Sequence, residues 1–185
     1  NSQVHRAQGR RLPAELQTHF ERREFKFLID EERVARVRAM IRPFCELDPF
    51  AASQPDHKYS IESIYFDTPN LALFRANETE MSERYKLRIR TYPDVKDSPA
   101  FFEVKRRYND VIVKDRGKAP PDWVRAVEEP GWFPGDSGDG TLSPAAESFL
   151  SRARAKGCRP VCTVDYRREA WASTIDDYAR VTFDG

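Results

Sequence analysis

Within the segment from Glu83 to Arg90, charged and apolar side chains alternate at every step from Arg84 onward, and this pattern constrains the fold more than any other. A β-strand directs successive side chains to opposite faces of a sheet. The pattern therefore predicts a strand that presents Arg84, Lys86 and Arg88, together with Arg90, on a single face. Like charges at this spacing repel one another, so this face requires anions.

Related patterns occur in other strand-like segments of the chain. They carry Arg22, Glu24 and Lys26; Glu103 and Lys105; and Lys114 and Arg116. One reading of such alternation is an ordinary sheet with one solvated face. A solvated face, however, usually mixes both signs of charge with uncharged polar residues, whereas here basic residues dominate. The pattern favours a shared basic interior, and a mixed lining of arginine and lysine suits a linear chain of phosphates.

The composition limits the class of protein. With 185 residues, of which 39% are hydrophobic, the chain can build one domain with a real core. Because 31 cations are balanced by 30 acids, a generally basic nucleic-acid binder is disfavoured and any polyanion site must be local. Three cysteines lack zinc-site spacing, and no run of about 18 apolar residues predicts a membrane segment. We expect a cytoplasmic domain without specific nucleic-acid binding.

Turn, capping and periodicity signals divide the chain into about seven strands and four helices. The predicted strands cover 20–29, 58–67, 84–92, 100–107, 111–116, 161–171 and 178–183, and the predicted helices cover 31–41, 68–76, 118–129 and 143–156. Residues 1–19 are expected to be a loosely ordered lead, and 130–144 a loop. This order predicts an α+β domain over 20–185, in which a mostly antiparallel sheet curls into a barrel or tunnel with a charged interior and helices packed outside.

Seven short segments, in order, resemble the VTC domain. This is the polyphosphate-polymerase domain of vacuolar transporter chaperone complexes and of bacterial relatives, within the triphosphate tunnel metalloenzyme superfamily. The resemblance extends from about Phe20 to Asp184. The segments are Arg22-Arg23-Glu24-Phe25-Lys26-Phe27, Ser63-Ile64-Tyr65-Phe66-Asp67-Thr68, Lys86-Leu87-Arg88-Ile89-Arg90, Phe102-Glu103-Val104-Lys105-Arg106, Lys114-Asp115-Arg116, Tyr166-Arg167-Arg168 and Arg180-Val181-Thr182-Phe183-Asp184.

The resemblance implies a tunnel that binds ATP and a growing polyphosphate chain and transfers the γ-phosphoryl group with release of ADP. It implies that Tyr166 lies beside the nucleotide phosphates with Arg88, Arg90 and Arg168, and that carboxylates hold Mn²⁺ or Mg²⁺. The basic tunnel residues that it implies are Lys26, Arg88, Arg90, Lys105, Lys114, Arg168 and Arg180, and the metal ligands are Glu24 and Glu103. From the residues alone, the two glutamates are equally explained as ion-pair partners of Lys26 and Lys105.

The chain departs from the superfamily pattern in two respects. Arg22 stands at the first acidic position of Glu-x-Glu-x-Lys, which favours the polymerase branch over the triphosphatases. The closing strands of the family, with a further metal-binding glutamate, are expected after Gly185, so the tunnel of this chain is expected to be incomplete. A tripolyphosphate or nucleoside-triphosphate hydrolase and a non-catalytic polyphosphate-binding module remain the alternatives, and protein partners are not predicted.

Overall fold

A computed structural model of the chain describes residues 24–95, 98–109, 111–119 and 143–185. The described helices are α1 (Glu31–Ile41), α2 (Pro49–Ala52), α3 (Ala72–Glu78) and α4 (Pro144–Lys156). The described strands are β1 (Cys45–Leu47), β2 (Tyr59–Asp67), β3 (Glu83–Thr91), β4 (Ala100–Tyr108), β5 (Val111–Ala119), β6 (Arg159–Ser173) and β7 (Arg180–Asp184).

All seven strands form one antiparallel sheet in which β6, β2, β3, β4 and β5 are successive neighbours. Strand β6 is 15 residues long and also pairs with two short strands. Because Trp171 and Ala172 pair with both β1 and β7, these two strands lie on opposite edges of β6. The sheet curls into a half-barrel, which confirms the predicted α+β class with an incomplete barrel.

The main core lies between one face of the sheet and helix α4. The helix buries Ala146, Phe149, Leu150 and Ala153, which form a single stripe at helical spacing. Phe149 packs edge-on against aromatic rings of β2 and β4, with ring centroids 5.2 Å from Phe66 and 4.8 Å from Phe102. Burying a side chain of this size contributes about 1.5–3 kcal/mol. The other face of β3 and β4 is thereby left to the charged side chains.

Local sequence signals set the ends and the close approach of α4. The Ser143 hydroxyl accepts a hydrogen bond from the Ala146 amide, Pro144 occupies the first turn, and Gly157 ends the helix at φ +62°. Gly117 on β5 lies beneath this N-terminus, where an added Cβ would stand 2.7 Å from the Ala146 nitrogen. The absence of a side chain at Gly117 therefore lets the helix reach the sheet.

A second apolar cluster lies beside the charged face, on the side of the sheet away from α4. It joins Tyr59, Ile61 and Ala170 from the sheet to Ala51 of α2, and Tyr92 and Tyr166 pack against it. Helix α2 is capped by Asp48, whose carboxylate accepts a hydrogen bond from the Ala51 amide at 2.7 Å. This cluster bounds the charged face next to Arg90.

The structure corrects the element assignment at its start. The predicted strand over 20–29 is wrong for its described part, because residues 24–29 have no strand pairing and Phe25, Phe27 and Leu28 are exposed. The short β1 and α2 were not predicted. Lys118 and Ala119 belong to β5 rather than to a helix. The lead 1–19, Arg22, the rest of the helix predicted over 118–129 and most of the loop 130–144 lie outside the described residues.

Candidate functional site

The face of β3, β4 and β5 opposite α4 is built from rows of paired residues that cross all three strands. Side chains of directly paired residues share a face, and neighbouring strands lie about 4.8 Å apart. Glu103 is the single acid in these rows. The rows are Arg84, Arg107 and Ile112; Lys86, Lys105 and Lys114; Arg88, Glu103 and Arg116; and Arg90, Phe101 and Lys118.

The lysine row concentrates like charge on one strip of the sheet. Burial lowers the pKa of Lys105 below its ordinary value; Glu24 opposes this shift, and the neighbouring Lys114, Lys26 and Lys86 add to it. The Glu24 carboxylate contacts Lys105 Nζ at 3.8 Å and Lys26 Nζ at 3.7 Å. Among the described residues, one exposed carboxylate therefore contacts two of these four lysines, and the strip retains a surplus of positive charge.

In the next row, Glu103 lies between two arginines. Arg88 Nε donates to Glu103 Oε2 at 2.6 Å, and Arg116 Nε lies 3.3 Å from Oε1. Burial by itself lowers the pKa of Arg88, but the charge of Glu103 and the Tyr65 hydroxyl more than offset this and raise the pKa above its ordinary value. Both guanidinium groups are therefore held in place by a shared acid.

Aromatic rings support the Arg116 guanidinium. Its Cζ lies 3.7 Å from the centroid of the Phe101 ring, and its Nη2 donates to the Tyr92 hydroxyl at 2.9 Å. Stacking on a ring favours arginine over lysine, because the guanidinium is planar and weakly hydrated. The ring contact and the hydrogen bond limit the positions that Arg116 can adopt on this face.

Arg90 is the most buried arginine of the face, with a relative exposure of 9%. Its Nε donates to Ser63 Oγ at 3.2 Å, and its Nη2 donates to the Tyr166 hydroxyl at 3.3 Å. Within the described residues, no carboxylate pairs with it. A buried charge is costly unless it is paired. Arg90 is therefore suited to pair with an anion that is not part of the described protein.

Strand β6 adds a further cation beside Tyr166. Arg168 forms two parallel hydrogen bonds to Asp184, both of 2.7 Å, and its Cζ lies 5.3 Å from the Tyr166 ring centroid. Burial lowers the pKa of Arg168, but the hydrogen bonds and charge of Asp184 reverse this and raise the pKa. Arg180 lies on β7 at the position paired with Ala172, and by strand alternation it shares the face of Arg168.

The two predicted metal ligands differ in how free they are to bind an ion. Glu24 has a side-chain exposure of 58%, and its ion pairs with described residues are long, whereas both oxygens of Glu103 face arginines. The described residues contain no group of three or more potential metal ligands. Mg²⁺ often binds through one or two carboxylates together with substrate phosphates. The donor set therefore fits an ion that accompanies phosphates, with Glu24 as the more accessible carboxylate.

The structure brings most of the predicted basic residues onto one side of the sheet. Arg88, Arg90, Lys105 and Lys114 belong to the rows of β3 to β5, and Tyr166 connects them to β6 through Arg90. Alternation placed Lys86 and Arg116 on charged strand faces, but neither was included among the predicted site residues. That prediction also omitted Lys118 and the hydroxyl groups that orient the arginines. The hydroxyl contacts of Ser63, Tyr65 and Tyr92 depend on strand order, which alternation does not show.

These features define a class of protein: an antiparallel half-barrel whose face opposite α4 concentrates cations. Comparison with family models identifies the family to which the chain belongs. The model of the VTC domain matches residues 21–185, so the chain belongs to the VTC domain family. A search of curated proteins finds no matching relative.

Membership in the VTC domain family confirms the resemblance inferred from the seven segments. It also indicates a polyphosphate-related function, because the family is associated with polyphosphate polymerases. Within the described residues, no helix is both long enough and apolar enough to cross a membrane.

Proposed function

We propose that this chain is the catalytic domain of an ATP-dependent polyphosphate polymerase. The buried guanidinium of Arg90 carries the proposal, because its described partners are two neutral hydroxyl groups. It lies beside a row with two further arginines and within two rows of the lysines. A linear polyanion that runs along the strands meets these rows in succession, each separated from the next by about 7 Å.

In the proposed reaction, a terminal phosphate oxygen of the polyphosphate chain attacks the γ-phosphorus of ATP. The bond from the γ-phosphorus to the bridging oxygen breaks, ADP leaves, and the chain grows by one phosphate. Phosphoryl transfer needs little covalent chemistry from the protein and depends on alignment and on neutralising charge. Arg88 and Arg90 would hold the nucleotide phosphates together with Tyr166 and Arg168, and Lys26, Lys105, Lys114 and Arg180 would hold the chain.

The proposal includes a divalent cation, Mn²⁺ or Mg²⁺, that arrives with the phosphates. Glu24 would be its first protein ligand, with Glu103 as a second where the ion displaces an arginine. Such an ion would reduce the negative charge of the phosphate oxygens. The arrangement of Arg88 around Glu103 supports a second role for this acid, which is to fix the guanidinium in the absence of ligand.

The proposal is tested by incubating the chain with ATP and Mn²⁺ and staining the products for polyphosphate on a gel. We expect long polymer that an exopolyphosphatase removes. The double replacement of Arg88 and Arg90 by alanine is expected to abolish polyphosphate binding and polymer formation. Arg36→Ala, at an exposed position of α1, is a control for a changed surface charge and is expected to have no effect.

Orthophosphate without polymer would overturn the polymerase proposal in favour of a hydrolase on the same fold. Tight polyphosphate binding without turnover would overturn it in favour of a binding module. If the double variant still bound polyphosphate, the charged face would be the wrong site.

A further inference from the structure

The segment that carries Glu24 and Lys26 has little support of its own. Residues 24–29 pair with no strand of the described sheet, and all of them are exposed. The segment reaches the charged face through the 3.8 Å ion pair from Glu24 to Lys105. An ion pair of this length at an exposed position is weak and is screened by salt. The position of the segment therefore depends on helix α1, which follows it along the chain.

Helix α1 presents one partly buried stripe to the sheet. The stripe is formed by Val34, Val37, Arg38 and Ile41, which recur at helical spacing, and no residue of the helix is fully buried by the described part of the protein. Hydrophobic stabilisation grows with the apolar area removed from water, so this shallow packing holds the helix only weakly. The polar contact of Arg38, in the middle of the stripe, therefore decides how firmly α1 is attached.

Arg38 attaches the helix to β6 by a bidentate ion pair. Its Nε and Nη2 atoms donate to the two carboxylate oxygens of Glu169, both at 2.8 Å, and its Cζ lies 5.7 Å from the centroid of the Phe183 ring on β7. The buried Glu169 carboxylate also accepts a hydrogen bond from Trp171 Nε1 at 2.8 Å. A bidentate contact to a carboxylate that a second donor holds in place is directional, and burial protects it from screening.

This ion pair lies outside the site described above. Glu169 follows Arg168 along β6, so its side chain is on the opposite side of the strand from the charged face. Burial raises the pKa of Glu169, but the hydrogen bonds from Arg38 and Trp171 outweigh burial and hold the pKa below its ordinary value. The ion pair therefore persists at neutral pH.

Helix α1 is fixed near its C-terminal end and leads to the charged face from its N-terminal end. The Phe44 carbonyl, just after the helix, accepts hydrogen bonds from the amide and the hydroxyl of Thr174. The helix has 11 residues and is about 16 Å long, so a small rotation at its C-terminal end displaces the segment 24–29 by several ångströms. The ion pair of Arg38, one turn before the end of the helix, opposes this rotation.

We propose that Arg38 is a positioning residue for the polyphosphate site. Through its ion pair with Glu169 it fixes the orientation of α1, and α1 holds Glu24 and Lys26 at the lysine row of the charged face. The inference rests on the proposed function, because that function gives Lys26 a phosphate chain to bind. The position of Glu24, however, can be measured without any ligand.

Carbodiimide cross-linking measures this position in the ligand-free protein, because it condenses a carboxylate with a neighbouring amine into an amide. Glu24 contacts two lysines at nearly equal distances, 3.7 Å to Lys26 in its own segment and 3.8 Å to Lys105 on β4. Mass spectrometry of the digested protein gives the ratio of the Glu24–Lys105 link to the Glu24–Lys26 link. The local link corrects for the reactivity of the carboxylate, so the ratio reports where the segment lies.

Arg38→Met combined with Glu169→Gln is the test variant, because glutamine leaves no buried charge without a partner and keeps an acceptor for Trp171. Its cross-link ratio should fall about tenfold, the usual weight of a hydrogen bond to a charged group. Arg36→Met, at an exposed position of the same helix, is the matched control and should leave the ratio unchanged. If the double variant unfolds, Glu169→Gln alone removes the charge and should lower the ratio by a smaller factor.

A double-mutant cycle connects Arg38 to phosphate binding. In the wild-type background, Lys26→Met should weaken polyphosphate binding about tenfold in calorimetry. In the Arg38→Met/Glu169→Gln background it should change the dissociation constant by less than about twofold, because Lys26 is no longer held at the charged face. Lys114→Met, on β5, should weaken binding by the same factor in both backgrounds, whereas a general loss of structure would alter the effects of both lysines.

An unchanged cross-link ratio in the double variant would overturn the inference, and so would an equal fall in Arg36→Met. An equal effect of Lys26→Met in the two backgrounds would show that Arg38 does not position Lys26. If the wild type does not bind polyphosphate, the proposed function fails, and the cross-link ratio still decides whether Arg38 positions the segment.

Discussion

Replacing Arg90 by methionine is expected to weaken polyphosphate binding without unfolding the domain. Methionine keeps an unbranched apolar stem and removes the guanidinium, whose described partners are the hydroxyl groups of Ser63 and Tyr166. A hydrogen bond to a charged group contributes about 1.5–3 kcal/mol. Since about 1.4 kcal/mol corresponds to a tenfold change, the dissociation constant for polyphosphate should rise roughly 10- to 150-fold.

The effect of Arg90→Met on stability should be small, because no charged partner is left behind. We expect the free energy of unfolding to change by less than about 1 kcal/mol, within the range of an ordinary exchange. Arg38→Met is the contrasting variant. It removes both 2.8 Å hydrogen bonds to Glu169, a carboxylate whose residue is 3% exposed. Stranding a buried charge costs about 3–5 kcal/mol, and the partial exposure of Arg38 favours the lower end of this range.

The assay combines titration calorimetry with a polyphosphate of defined length and urea unfolding of the same preparations. Arg90→Met should lose affinity and keep its stability, whereas Arg38→Met should lose stability. The reasoning is refuted if Arg90→Met binds polyphosphate as tightly as the wild type. It is also refuted if Arg90→Met loses as much stability as Arg38→Met, since Arg90 would then be a structural residue.

Three further predictions concern other residues. Glu103→Gln should lower the rate of polymer synthesis about tenfold without lowering the affinity for polyphosphate, because the change loosens Arg88. If a higher Mn²⁺ concentration restored the rate, Glu103 would instead act mainly as a metal ligand. The pKa of Lys105 is lowered, and a bound polyanion should raise it. Binding then takes up a proton, so the affinity for polyphosphate is greatest below the lowered pKa of Lys105 in the free protein and falls as the pH rises through that pKa. Lys105→Arg should flatten this pH dependence when binding is measured by calorimetry across the alkaline range. An equal slope of affinity against pH in both proteins would contradict the prediction. Gly117→Ala should lower the free energy of unfolding by about 1–3 kcal/mol in urea, because the new Cβ meets the Ala146 nitrogen at 2.7 Å; an unchanged stability would show that the helix shifts freely.

Alternation identified the strands with the strongest local pattern. From Arg84 to Arg90 each side chain differs from the next in polarity, and this segment lies in β3 with the predicted division of its faces. Helix α4 was equally readable, because Ser143, Pro144 and Gly157 mark its ends chemically. Both are cases in which a local preference and the tertiary environment agree.

The errors in the predicted strands arose where strand formation depends on tertiary pairing rather than on the local sequence. Residues 24–29 alternate like a strand, but the described sheet provides no partner for them, and a strand exists only through pairing. The three residues of β1 carry too little pattern to be recognised alone and are held by the far end of β6. Short elements of this kind follow from strand order rather than from propensity.

The site was predictable in residue type but not in arrangement. Alternation predicts that Lys86 and Arg88 share a face, whereas the register that places Lys105 and Lys114 beside Lys86 is set by three strands together. The same register brings Glu103 between two arginines. The sequence therefore supports an acid near the cations, and the structure adds that this acid holds Arg88 in place.

The central claim is that the charged face directs the γ-phosphoryl group of ATP to a polyphosphate chain rather than to water. The most direct test supplies ATP labelled with ³²P in the γ-phosphate, together with Mn²⁺ and a short polyphosphate primer, and measures ADP, labelled orthophosphate and labelled polymer in the same reaction. We predict that the label enters polymer in a one-to-one ratio with ADP, and that Arg90→Met loses this transfer. Label that appears as orthophosphate while the primer stays unchanged would contradict the account.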